Sequence, residues 1–194
     1  IVTNKENIQE VKKIFKKNYK NNIRIILQKK TKGMAIAIQN GLVFTKTKYF
    51  CTIWGDQIGL SRSTILKTMN THQKNSHCVT FPIHFKKKPY VDISLKNKIF
   101  LDKIVQSRET SIIKKEGYTD CGIFCCNTNF IKNRISKYIK NRKIITKRTR
   151  EHDFLHSLSL IAENHKIKTF KTLNKKDTIS INQIKDLKKV LELF

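Results

Sequence analysis

Asp56 is the residue whose type and position most directly suggest chemistry. It lies in YFCTIWGDQIGL (49–60), where an aromatic and β-branched run breaks at Gly55 and an acid follows at once. The chain has 14 acids against 41 Lys and Arg, so a carboxylate delivered into a loop raises the question of what it holds. Two more polar side chains follow apolar runs: Gln28 at the end of IRIILQ and Asn182 after TISI. A Gln amide offers both a donor and an acceptor, which suits the edge of a base. Asp56 and Asn182 supply hard oxygen ligands of the kind Mg2+ takes. Gly33 opens the apolar stretch MAIAIQNGLVF. A glycine at a helix start lets backbone approach a ligand, and a helix N-terminus favours anions.

These side chains act together only if strands carry them to one edge of a sheet. IVT (1–3), IRIILQ (23–28) and YFCTIW (49–54) read as strands. Between them, Ile8, Val11, Ile14 and Phe15 recur at helical spacing over residues 7–19, and a second helix starts after Gly33. Residues 61–72 form a third, with Ser61 or Ser63 placed to cap it. Residues 78–85 and 99–106 read as strands with the Lys86-Lys87-Lys88-Pro89 turn between them, and CGIFCCN is another, leading into a helix over 129–138. Nine Lys and Arg without an acid across 131–150 predict an exposed loop. Residues 151–164 read as a helix, IKTFKTL as a strand, TISI as a short strand and 182–193 as the last helix. Strand–helix alternation of this kind predicts an α/β fold of three layers, αβα and Rossmann-like, with a mixed, mainly parallel sheet. In such sheets ligands collect at the carboxyl ends of the strands, where Gln28, Asp56 and Asn182 fall. Without a linker or internal repeat, the expectation is a single domain over residues 1–194.

At 39% hydrophobic residues the 194-residue chain can bury a core and is not of the disordered class. Its formal charge of +27 points to polyanions as nonspecific partners. The 34 Lys against 7 Arg point instead to codon drift as the main source of that charge, because selection for gripping phosphate favours the Arg fork. Five cysteines, odd in number and mostly in apolar runs, fit a reduced cytoplasmic protein better than a disulfide framework. Cys121-x3-Cys125-Cys126 lacks the second pair that a zinc site needs. No stretch approaches the roughly 18 apolar residues of a membrane span, and no signal peptide is expected. The chain opens at Ile1, without Met and inside a strand, so a fragment or processed product is expected.

The order of short motifs resembles a known family. Gln28-x4-Gly33-Met34-Ala35-Ile36-Ala37-Ile38 is followed by Ile53-Trp54-Gly55-Asp56-x3-Leu60 and Thr64-x7-His72. Pro89-Tyr90-x2-Ile93, Lys103-Ile104-Val105-Gln106 and Asp120-Cys121-Gly122-Ile123 come next, then Glu151-x4-His156 and Ile181-Asn182-x3-Asp186-Leu187. The series is similar to the sugar nucleotidyltransferases, above all the pyrophosphorylase domain of N-acetylglucosamine-1-phosphate uridylyltransferase, whose pattern reads Q…GTGHAI, GD.PL…T…H, P.GYGRI, IVE, NTGI, E-Y-Y-x-T-D and GVN. The resemblance implies a nucleotide-diphospho-sugar transferase fold and Mg2+-dependent transfer of a nucleotidyl group from UTP, or another nucleoside triphosphate, to a sugar-1-phosphate. It implies that Gln28, Gly33, Met34, Trp54 and Gly55 contact the nucleotide, and that Asp56 and Asn182 hold Mg2+, with Asp56 catalytic through the metal. Tyr90, Val91, Gln106 and Asp120 would line the sugar side. There the chain departs from the family: Val91 stands for a Gly, Gln106 for a Glu and Asp120 for an Asn, and His156 falls where an Asp belongs. The family's opening LAAGxGTRM loop would precede Ile1, so this chain alone is expected to be inactive. No hexapeptide repeat of an acetyltransferase half occurs within these 194 residues, so that activity is not expected of them.

Two other readings compete. His152-Asp153-Phe154-Leu155-His156 imitates the H-E-x-x-H of zinc hydrolases if both imidazoles share a helix face. The basic stretches 12–20 and 132–150, with Phe15, Tyr19 and Tyr138 interleaved, suit a nucleic-acid-binding module. A decayed or truncated, inactive nucleotidyltransferase is the remaining alternative.

Overall fold

The computed structural model describes residues 1–18, 23–29, 32–75, 77–112, 114–181 and 184–191. In chain order its elements are β1 (Val2–Thr3), α1 (Ile8–Asn18), β2 (Ile26–Leu27), α2 (Met34–Leu42), β3 (Tyr49–Ile53), α3 (Arg62–Asn75), β4 (Val79–Lys87), β5 (Val91–Lys96), β6 (Phe100–Gln106), α4 (Ser107–Thr110), β7 (Glu116–Asp120), β8 (Ile123–Asn127), α5 (Thr128–Lys140), α6 (Phe154–Ala162), β9 (Lys168–Lys171) and α7 (Ile184–Leu191). They form two compact units, residues 1–48 with 128–157 and residues 49–127 with 158–194.

The first unit pairs β1 and β2 in parallel, Val2 with Ile26 and Thr3 with Leu27. Of the strand expected over 23–28, only these two residues join a ladder. Helix α2 packs against α5. Its Ala35, Ile38 and Leu42 recur every three or four residues and are buried, as are Ile131 and Ile135 of α5. Each buried aliphatic side chain of that size contributes about 1.5–3 kcal/mol. Gln39 adds a polar tie across the pair, Nε2 to Ser136 Oγ at 3.2 Å. The basic stretch 131–150 is helix over its first half, where Ile131 and Ile135 give α5 an apolar stripe that its Lys and Arg flank, and turn over its second half, as expected. Beyond α5 the chain turns and forms an antiparallel bridge between Ile145 and His152.

The second unit holds a seven-stranded sheet in the order β3-β8-β4-β7-β5-β6-β9, with β9 also lying beside β4. The fold is mixed α/β as expected, but the expectation of a mainly parallel sheet fails among the described strands. Only β1–β2 and β4–β9 run parallel. The other pairings are antiparallel. Two strands absent from the sequence reading, β5 and β7, supply half of these antiparallel pairings, and the expected strands β3, β4, β6, β8 and β9 supply the rest. VDISLK alternates apolar and polar residues as a one-sided strand should, yet the neighbouring Lys86–Pro89 turn masks it. Asn97 and Lys98, both at positive φ, then fold β5 back on β6, and a turn that short can only join antiparallel strands. Phe81, Ile83, Ile123 and Phe124 are fully buried at the centre of this unit, and the rings of Phe81 and Phe124 lie 4.9 Å apart. TISI is not a strand: a 3-10 turn over Lys175–Thr178 replaces its start, and residues 179–181 follow in irregular backbone.

Candidate functional site

Asp56 sits in the turn just beyond β3, partly buried. Among the described strands β3 pairs with β8 alone, antiparallel from Tyr49–Asn127 to Ile53–Ile123. That ladder continues through Trp54, whose N–H donates to Gly122 O at 3.0 Å, while its ring leans on Phe124 at 5.3 Å. Gly55 has open space where a Cβ would stand, so backbone here is approachable. The turn is then tied to the far end of the unit. Ile181 N–H donates to Asp56 O at 3.0 Å and Gly59 N–H to Ile179 O at 3.2 Å. Gln57 Nε2 donates to Asp177 O at 2.8 Å. Asn182, the other expected metal ligand, lies outside the described residues, directly after the Ile181 that bonds to Asp56.

Asp120 is the carboxylate whose charge interacts with that of Asp56. Burial is the main force on its carboxyl and pushes it up to about 6; the Gly122 N–H pulls the other way at 3.0 Å, and the Asp56 charge adds to the rise. Gly122, at φ +70, turns the chain there so tightly that a Cβ would meet the Gln57 side chain at 2.8 Å. Of the expected sugar-side residues, the register across the sheet pairs two directly. Val91 of β5 is opposite Gln106 of β6, and Ser107 N–H donates to Tyr90 O at 2.9 Å. Ile93 of β5 is opposite Tyr118 of β7, and Asp120, at the end of β7, is opposite Ile83 of β4. Directly opposite residues share a face. Val91 and Gln106 are buried, while Tyr90 is 54% exposed.

The expected base-contacting residues Gln28, Gly33 and Met34 belong to the first unit and have their own surroundings. Gln28 Nε2 donates to Gly33 O at 3.4 Å, so its amide is partly engaged by the chain. Gly33 precedes α2 at φ 96, and a Cβ there would stand 2.5 Å from His152 O. The glycine is therefore explained by contact with the chain's own backbone, not by approach to a ligand. The helix start is engaged as well, since Ala35 N–H donates to His152 O at 3.1 Å.

The zinc-hydrolase pattern dissolves in the structure. Helix α6 begins at Phe154, three residues later than expected, because Asp153 is its cap: Oδ1 accepts the His156 N–H at 2.8 Å. His152 stands before the helix in the bridge to Ile145, so the two imidazoles do not share a helix face. Among the described residues no group of three or more His, Cys, Asp or Glu is arranged to hold a metal ion. All five cysteines are free thiols, as expected. No described helix is long and apolar enough to cross a membrane.

Two residues with clear tasks were missed in the sequence, Gln57 and Asp177. Asp177 is fully buried and accepts from Ser61 N at 2.9 Å, Thr64 Oγ1 at 2.7 Å, Thr172 Oγ1 at 2.8 Å and Asn174 Nδ2 at 3.3 Å. It holds the start of α3, where Ser61 Oγ also accepts the Thr64 N–H, the capping role expected of Ser61. The Asn174-Lys175-Lys176-Asp177-Thr178 cluster is the signal that could have found it, since Asn, Asp and Thr favour turns through their own hydrogen bonds.

No protein-family model matches the chain, and no curated protein matches it by sequence. Solved structures do match. The inositol-1-phosphate CTP transferase from T. maritima superposes with a TM-score of 0.69 at 18% identity, over 99% of this chain and 73% of that one. The 4-diphosphocytidyl-2C-methyl-D-erythritol synthase from Anaerococcus prevotii gives 0.68 at 16% identity, over 99% and 78%. HddC from Yersinia pseudotuberculosis, solved with GMP-PN, gives 0.68 at 15% identity, over 100% and 78%. At such identities the likeness speaks for architecture, and the chain has the mixed α/β fold that these nucleotidyltransferase structures share.

Proposed function

We propose that the chain contributes the nucleotide, metal and sugar contacts of an enzyme that transfers a nucleotidyl group from a nucleoside triphosphate to a sugar-1-phosphate, with release of pyrophosphate, and that residues 1–194 alone bind the nucleotide without turning it over. The observation that carries this reading is the turn at Gly55-Asp56, at the carboxyl end of β3, with open backbone at Gly55 and the Asp120 carboxyl interacting with that of Asp56. Ligands in α/β sheets gather at such strand ends. The names of the structural neighbours support the reaction class: one is a CTP transferase acting on inositol-1-phosphate and another was solved with GMP-PN.

In this reading a phosphate oxygen of the sugar-1-phosphate attacks the α-phosphorus and pyrophosphate leaves, so no protein nucleophile is needed. Positioning and charge neutralisation are the protein's contribution. Gln28 would orient the base through its amide. Tyr90, Val91, Gln106 and Asp120 would line the sugar side, with Gln106 and Asp120 offering polar groups for its hydroxyls. Asp56 and Asn182 would hold Mg2+, whose charge offsets that of the phosphates. The donor set fits, because both are oxygen ligands and a carboxylate suits a hard dication. UTP and N-acetylglucosamine-1-phosphate are the substrates proposed, from the motif order Gln28…Gly55-Asp56…Asn182.

The test is calorimetric titration of UTP into the chain with and without Mg2+, alongside the Asp56→Asn variant. Asn nearly matches Asp in shape, so the fold should be kept, checked by the thermal midpoint. Binding should depend on Mg2+ in the parent and lose at least tenfold in the variant. UTP affinity indifferent both to Mg2+ and to the substitution would refute the reading.

A further inference from the structure

The seven arginines of this chain are not evenly spread. Arg142, Arg148 and Arg150 fall within nine residues, whereas the 34 lysines are distributed along the whole sequence. Drift toward Lys, Asn and Ile explains abundant lysine and leaves such a cluster of arginine unexplained. Two of the three, Arg142 and Arg150, line a pocket of about 520 Å3 in the first unit together with Ile145, Thr146 and Lys147.

The turn that forms this pocket is built, not loose. The Ile145–His152 bridge closes its base, and Asp153 N–H donates to Ile144 O at 2.8 Å. Ile144 is fully buried and Thr146 is 5% exposed. Thr146 N–H donates to Glu151 O at 3.0 Å, its hydroxyl meets Thr149 Oγ1 at 2.6 Å, and Glu151 N–H donates back to Thr146 Oγ1 at 3.3 Å. Arg142 and Arg150 both hold left-handed backbone, at φ 55 and 57. Left-handed backbone at Arg142 closes the end of α5, where its N–H donates to Ile139 O at 3.1 Å and Lys143 N–H to Tyr138 O at 3.0 Å. Three cations around one pocket repel each other, and a bound anion would relieve that repulsion. A volume in the range of small-ligand sites suits a compact guest.

We propose that this turn binds the terminal phosphate of a small phosphorylated ligand, a phosphomonoester or pyrophosphate, through Arg142, Lys147 and Arg150. A guanidinium offers paired donors that match two phosphate oxygens, and Lys147 adds a point charge. The Thr146 hydroxyl, already committed inside the turn, sets the frame rather than the contact. The site shares no residue with the proposed nucleotidyl-transfer site, so either can fail without the other.

The test is titration of inorganic pyrophosphate and of glucose-1-phosphate into the full chain at roughly 0.15 M salt, where diffuse surface attraction is screened. The Arg142→Asn/Arg150→Asn variant removes two charges, and Asn tolerates left-handed backbone, so its thermal midpoint should hold or rise. Lys12→Gln/Lys13→Gln, on exposed α1 positions, removes the same charge elsewhere in the unit. One saturable site per chain is expected, weakened at least tenfold by the arginine pair and less than twofold by the lysine pair. Lys147→Gln should weaken it by a smaller factor. If free pyrophosphate binds and glucose-1-phosphate does not, the source is the inorganic anion; the reverse assigns a phosphomonoester. Equal loss in both double variants, or no saturation, overturns the proposal. So does a single-stranded oligonucleotide that binds more tightly than either small ligand through the same arginines, since that makes the turn a nucleic-acid contact.

Discussion

Thr64 donates its hydroxyl to Asp177 Oδ2 at 2.7 Å, joining the first turn of α3 to a residue 113 positions later in the chain. The same carboxylate takes Ser61 N–H and the Thr172 hydroxyl, and the Asp177 carbonyl takes the Gln57 amide. One buried acid thus fixes both sides of the turn that carries Asp56.

Asp177→Asn should therefore cost about 2–4 kcal/mol of stability, since hydrogen bonds to a charged acceptor contribute about 1.5–3 kcal/mol each and Asn can replace only some of them. Burial alone would raise this carboxyl, but the hydrogen bonds from Thr64, Ser61 and Thr172 outweigh it and hold it below its ordinary 3.8. With the folded value depressed, the contribution is complete above about pH 4 and is lost as pH falls through the folded value. Urea midpoints of parent and variant should converge only on the acid side. A constant difference down to pH 2 would contradict the hydrogen-bonded carboxylate.

His72 gives a second, separate acid dependence. It is fully buried; Nδ1 lies 3.1 Å from Thr80 Oγ1, and Tyr49 meets the ring edge-on at 4.9 Å. Burial, reinforced by the His77 charge, pushes it down to about 4 from 6.5. The folded state resists the proton that the unfolded chain accepts, so stability is complete above pH 6.5 and declines as pH falls toward 4, by roughly 3 kcal/mol at about 1.4 per unit. In His72→Asn the part of the slope that rises with pH between those limits should be lost, leaving the slope that other groups impose. An unchanged slope would mean that the imidazole charges without cost.

Gly33 and Gly41 bracket α2 and should answer alanine with opposite signs. At Gly33 the new Cβ would stand 2.5 Å from His152 O, with φ at 96, so something in the backbone must shift. A loss of about 2–4 kcal/mol is expected, the range of overpacking with strain added. At Gly41, inside the helix, the nearest atom is Val2 Cγ2 at an ordinary 3.6 Å. Alanine there should stabilise by about 0.5–1 kcal/mol through helix propensity. Thermal midpoints of the two variants read both signs at once. A Gly33→Ala protein as stable as its parent would mean that the contact with residues 151–152 is not formed.

Periodicity made α1 legible, and apolar runs bounded by Gly made α2 and β3 so. Helix α3 was legible instead from Ser61 at its start, since it buries Thr64, Thr68 and His72 while Leu66 and Met69 stay exposed. Periodicity failed where tertiary contact decides the outcome. Nothing local in IRIILQ says that only two of its residues find a partner strand. Part of the antiparallel character of the sheet comes from β5 and β7, short strands whose side chains alternate or are polar, and part from the long-range pairing of β8 with β3 and β4, which no local pattern announces. Around Asp56, the strand-then-acid pattern predicted a loop carboxylate, and that is how it sits. Asp177 was illegible because its partners, Ser61, Thr64 and Thr172, look like ordinary surface hydroxyls until the fold collects them. His152 was misread for the complementary reason: helical spacing continued past a cap, Asp153, that stops the helix short of it.

Asp120 supplies the last prediction, because its slope opposes that of His72. Burial, with the Asp56 charge adding to it, raises its carboxyl to about 6 from 3.8, against the pull of the Gly122 N–H. Between those values the folded protein holds a proton that the unfolded chain has released, so stability falls as pH rises from about 4 to 6 and is level above. The size is again roughly 3 kcal/mol at about 1.4 per unit. Over the shared interval the His72 and Asp120 contributions nearly cancel, so the parent should vary little there. Asp120→Asn should then expose the rise with pH due to His72, and His72→Asn the fall due to Asp120. The pairing with Asp56 has its own readout. Removing that charge in Asp56→Asn should lower the Asp120 titration midpoint, followed through its carboxyl carbon by NMR, because one of the two forces raising it is gone. A midpoint that stays near 6 in Asp56→Asn would separate the two carboxylates and take Asp120 out of the turn where the proposed chemistry sits.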